Sequence, residues 1–120
     1  MNRYHIKIGF KHNQVLQSLT EQLNGLKWQY TEHCLDHIKY RVLDIEGLLL
    51  FIKDVELNYN QIFEYYEDND IIEKICYRIS YNKFQDIILV ISKEKRIITI
   101  YINSKEDNHI TLHKELYKNG

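Results

Sequence analysis

Phe84-Gln-Asp-Ile-Ile-Leu-Val-Ile-Ser92 and Arg96-Ile-Ile-Thr-Ile-Tyr-Ile-Asn103, joined by Lys93-Glu-Lys95, decide the fold. Two β-branched runs of strand length around a short charged turn read as a β-hairpin. Upstream, Ile71–Tyr81 fits two patterns. Ile71, Ile72, Ile75, Cys76 and Ile79 make a helical stripe, whereas Ile75, Tyr77, Ile79 and Tyr81 alternate. The alternation, followed by the turn-like Tyr81-Asn-Lys-Phe84, favours a strand. Gln61–Glu67 reads as another, and Tyr4–Phe10 as a short opening strand.

Between these lie helices. His12–Leu26 spaces Val15, Leu16, Leu19, Leu23 and Leu26 by three and four, with Gly25 as its stop. Thr31 caps a second helix running through Arg41, with Cys34, Leu35 and Ile38 inward, and Asp44 caps a third over Asp44–Lys53. After Ser104 come a polar loop and an untyped element around Ile110–Tyr117. The order β-ααα-ββββ predicts an α+β domain, with two to three helices on one face of a four- to five-stranded, largely antiparallel sheet.

At 120 residues the chain is expected to form one domain with its own core. A 44% hydrophobic and 28% charged composition is that of a globular protein. No apolar run is long enough to span a bilayer, and the first residues lack a signal peptide's apolar stretch. Cys34 and Cys76 form no CxxC and suit a reducing compartment as buried thiols, so a cytoplasmic protein is expected. The net charge of −1 is unevenly spread. Residues 54–70 carry six acids and no Lys or Arg, which reads as a solvated loop and strand face. A uniformly basic nucleic-acid binder is excluded.

Few chemical signatures are present. Four glycines, at 9, 25, 47 and 120, make neither a dinucleotide nor a phosphate loop, and there is no G-x-S-x-G elbow. His33/His37 and His109/His113 have the i, i+4 spacing of metal ligands, but no H-E-x-x-H or third ligand accompanies them, so neither metal nor cofactor is expected.

Tyr30-Thr-Glu-His33-Cys-Leu-Asp-His37-Ile-Lys-Tyr-Arg41-Val-Leu-Asp44 is more informative. It resembles the signature of a small bacterial domain family of unknown function, whose domain opens aromatic-T-x-H-A-x-x-R-x-x-x-R-G-I-S. His33 and Arg41 match its His and second Arg. His37 stands where its first Arg does, and Val42-Leu43-Asp44 where it has Gly-Ile-Ser. Tyr65-Tyr66-Glu-Asp-Asn, the run Cys76–Ile91 and Ile97-Ile-Thr-Ile-Tyr101 are similar to its later strands, so the likeness spans about residues 28–103.

That family is grouped with the barnase–EndoU–colicin–RelE ribonucleases. The resemblance therefore implies a RelE/barnase-like fold and a metal-independent endoribonuclease, a toxin acting on RNA and held by an antitoxin or immunity protein. The start at Met1 suggests a free-standing toxin or a toxin domain of a larger effector. In such chemistry the RNA 2′-hydroxyl attacks its own phosphate. His33 would serve as acid or base, with His37 as a second such group. Arg41 would clamp the phosphate, and Thr99 and Tyr101, two apart on one strand, would support it. A catalytically silent binding protein on the same fold (antitoxin, immunity protein or phage-encoded regulator) is the competing expectation, which the acidic 54–70 segment favours.

Overall fold

The computed structural model describes residues 3–7, 13–41 and 44–106, the side chains of 3–7 and 40–41 excepted. Its elements run β1 (Arg3–Lys7), α1 (Asn13–Asn24), β2 (Gln29–Tyr30), α2 (Glu32–Arg41), α3 (Ile45–Lys53), a 3-10 turn (Tyr59–Gln61), β3 (Ile62–Asp68), β4 (Ile71–Ser80), β5 (Gln85–Ser92) and β6 (Arg96–Ser104). They form an α+β fold with one sheet in the order β1-β3-β4-β5-β6-β2. All pairings are antiparallel except that of β2 with β6. The sixth strand is β2, two residues that the sequence reading assigned to no element. The untyped element predicted around Ile110–Tyr117, with His109 and His113, lies outside the described residues.

The ambiguous Ile71–Tyr81 stretch forms the strand β4 (Ile71–Ser80), an inner strand hydrogen-bonded between β3 and β5. Each turn of the meander has a local cause. Asn69 and Asp70 both take positive φ, 52° and 65°, the backbone of a two-residue hairpin with inverted handedness. Asn82 Oδ1 accepts from the backbone N–H groups of Phe84 and Gln85 at the next turn.

Helix starts follow the sequence. Thr31 Oγ1 accepts from Cys34 N–H at 3.0 Å, and Asp44 Oδ1 from Gly47 N–H at 2.9 Å. Leu16 and Leu23 of α1, Cys34 and Ile38 of α2, and Leu48 and Ile52 of α3 join Tyr65, Ile75, Tyr77, Leu89 and Ile100 in one apolar cluster. All three helices therefore cover the same side of the sheet. Val15 and Leu26, assigned to the α1 stripe, are 49% and 46% exposed. Thr20 lies buried on that stripe in their stead.

The acidic segment departs from expectation. Asp54, Glu56 and Asp70 are exposed, but Glu64, Glu67 and Asp68 are buried. The reading of 54–70 as solvated is corrected because β3 is an inner strand, between β1 and β4. Glu64 is fully buried and accepts a weak bond from the Cys76 thiol at 3.8 Å. The side of the sheet away from the helices is also closed over its centre, where Tyr66, Cys76 and Val90 form a second cluster edged by Phe63 and Ile98.

Candidate functional site

Thr31 sets in place the helix that carries the predicted His33, His37 and Arg41. Its N–H and hydroxyl both donate to Ile97 C=O, at 3.4 and 3.3 Å, while its Oγ1 caps α2. One threonine thus ends β2 and starts α2 against β6. With Cys34 and Ile38 turned into the core, His33 and His37 fall on the adjoining flank, His33 exposed and His37 half-buried. Their ring centroids are 4.1 Å apart, with planes tilted by 47°. Arg41 is the last residue of α2, one turn beyond His37.

Thr99 and Tyr101 share a face, as the period of a strand requires. Thr99 pairs with Val90 and Tyr101 with Ile88, so both face the side of the sheet away from the helical cluster. Burial, followed by the neighbouring Cys76, Glu64 and Tyr101, pushes the Tyr66 phenol far above its usual range, which sets Tyr101 in the same neighbourhood. The structure therefore joins His33 with His37 and Thr99 with Tyr101, but on different layers. A register irregularity beside Ile97 and Ile91 produces this phasing, and no local signal in the run Ile97–Tyr101 announces it.

The two cysteines are poor nucleophiles. Burial raises the Cys34 thiol to about 11, and burial together with the facing Glu64 carboxylate raises Cys76 well above its ordinary value. Among the described residues no three His, Cys, Asp or Glu side chains gather as a metal site. No helix among them is long and apolar enough to cross a membrane.

A second site lies elsewhere, and the sequence reading missed it. An open groove of about 870 Å³ runs between α3 and the segment from the end of α1 to β2, walled by Leu26, Trp28, Tyr30, Leu49, Leu50 and Val55. Leu50 is 65% exposed there, although it belongs to the most apolar helix. Lys95 reaches the groove from the β5–β6 turn and is only 4% exposed. Its ammonium donates to Leu26 C=O at 3.1 Å and sits 4.4 Å from the centre of the Trp28 ring. Burial pulls the Lys95 pKa below its ordinary value. The Trp28 indole N–H is buried without an acceptor among the described residues. The only available signals were the single tryptophan and a lysine in a turn position suited to glycine or asparagine.

No family model, curated protein or solved structure matches the chain.

Proposed function

We propose that the protein is a metal-independent endoribonuclease, a bacterial toxin of RelE/barnase-like fold that acts in the cytoplasm and is restrained by a cognate antitoxin or immunity protein. The observation that carries this reading is the His33–His37 imidazole pair, 4.1 Å between centroids, on a capped helix that closes with Arg41. The α+β scaffold and the order of motifs over residues 28–103 support it. Two adjacent imidazoles offer a base to take the proton from a 2′-hydroxyl and an acid to return one to the leaving 5′-oxygen. Arg41, one turn further along α2, supplies the guanidinium that neutralises the crowded phosphate. Thr99 and Tyr101, on the outer face of the sheet, are assigned to RNA contact rather than to the reacting group.

Purified protein incubated with total RNA and EDTA tests this. Cleavage that persists in chelator, leaves 2′,3′-cyclic phosphate ends and is abolished by His33→Ala or His37→Ala is the expected result. Cleavage lost in EDTA, or retained in both variants, overturns it.

A second reading, a catalytically silent binding protein, is favoured by one observation. The 870 Å³ groove is lined by none of His33, His37, Thr99 or Tyr101. Intact RNA throughout the same assay would support it.

A further inference from the structure

Lys95 is an expensive residue where it stands. Its φ of 65° is a left-handed backbone that costs an L residue about 1 kcal/mol and that glycine adopts freely. Lysine is almost never buried without an anionic partner, because its ammonium loses hydration. Here the groove meets that charge with one carbonyl and one aromatic face. The other charged residues of the lining balance, since Lys27 and Lys53 stand with Glu46 and Asp54, all four exposed at the rim. Among the described residues, one positive charge of the lining is left without a carboxylate, at the inner end of an apolar wall.

We infer that this groove is a binding site for a small apolar monocarboxylate, its carboxylate on the Lys95 ammonium and its hydrocarbon part along Trp28, Leu49 and Leu50. The volume of about 870 Å³ falls in the range of small-molecule sites, which are mostly apolar with a few placed polar groups. A carboxylate completes the ammonium's hydrogen bonding in a place where water is largely excluded, and such charge-assisted bonds are short and strong. A doubly charged anion would leave a charge over, and a neutral ligand would leave Lys95 uncompensated. The inference rests on the groove alone and holds whether or not the chain cleaves RNA.

Trp28 is the only tryptophan, so its fluorescence reports on this groove without labelling. The probes are decanoate, below the concentration at which it self-associates, and 1-decanol as the uncharged equivalent. The full chain is expected to show a saturable change in Trp28 emission with decanoate, at a Kd about tenfold or more below that for decanol. Lys95→Met keeps the apolar stem and should bind both probes alike. Lys95→Gly also removes the ammonium while relaxing the turn, so it should fold and likewise show no preference. Equal affinity of the unsubstituted protein for the two probes overturns the inference. So does a preference for decanoate that survives in the folded Lys95→Gly variant, or the absence of any saturable response to decanoate.

Discussion

Thr20 Oγ1 and Tyr77 Oη lie 2.7 Å apart in the interior, fastening α1 to the central strand β4. Burial raises the Tyr77 phenol to about 12, against the lowering effect of this bond, so it stays neutral at physiological pH. The bond explains how a threonine occupies the inward stripe of α1. Each hydroxyl satisfies the other where water does not reach.

Tyr77→Phe is therefore expected to destabilise the fold by about 1–3 kcal/mol, because the Thr20 hydroxyl is left buried without its partner. Thr20→Val combined with Tyr77→Phe should cost less than the two single changes added together, by about 1 kcal/mol. Urea denaturation of the three variants measures this. Strict additivity would show that the bond contributes nothing.

Asp86 of β5 holds two cations, Arg78 of β4 and Lys105 just past the end of β6. Its carboxylate accepts from Arg78 Nε at 2.8 Å and from Lys105 Nζ at 2.7 Å. Burial pushes its pKa up, but the Lys105 and Arg78 hydrogen bonds and charges outweigh that and hold it below 3.8. The unfolded chain then takes up this proton before the folded one as pH falls. The stabilisation is complete above 3.8 and is lost as pH drops through the lower folded value. Asp86→Asn should be less stable at neutral pH and show a shallower loss of stability below pH 3.8, read from melting temperature against pH.

Gly47 and Asp44 oppose each other at the start of α3. A Cβ at Gly47 would collide with the Asp44 carboxylate, so Gly47→Ala displaces the capping group. Loss of the cap costs about 1 kcal/mol, and alanine in place of glycine returns about the same. Gly47→Ala alone should therefore change stability little, whereas Asp44→Ala should cost about 1 kcal/mol. Adding Gly47→Ala to Asp44→Ala should restore about 1 kcal/mol, since nothing is left to displace. Chemical denaturation distinguishes these outcomes; a further loss in the double variant would contradict the argument.

Much of the fold was legible because its causes are local. The β-branched runs Ile87–Ile91 and Ile97–Ile102, the caps Thr31 and Asp44, and the Asn82 turn act within a few residues of themselves. The i, i+4 spacing of His33 and His37 likewise sets their rings together on any regular helix. β2 was illegible because two residues carry no period, and its partner strand begins 67 residues later. The burial of Glu64 was hidden because a strand does not reveal whether it will lie at an edge or inside.

By itself the sequence determined the three helices, the four-stranded meander, and the placing of two imidazoles on one flank of α2, since each follows from short-range sterics and hydrogen bonding. Only the tertiary structure decided the rest. It turned Thr99 and Tyr101 to the face opposite the helices, and it gathered Leu26, Trp28, Leu50 and Lys95 into one groove. Those relations depend on strand register and on which distant segments meet, and these are settled when apolar surface is buried across the whole sheet rather than along the chain.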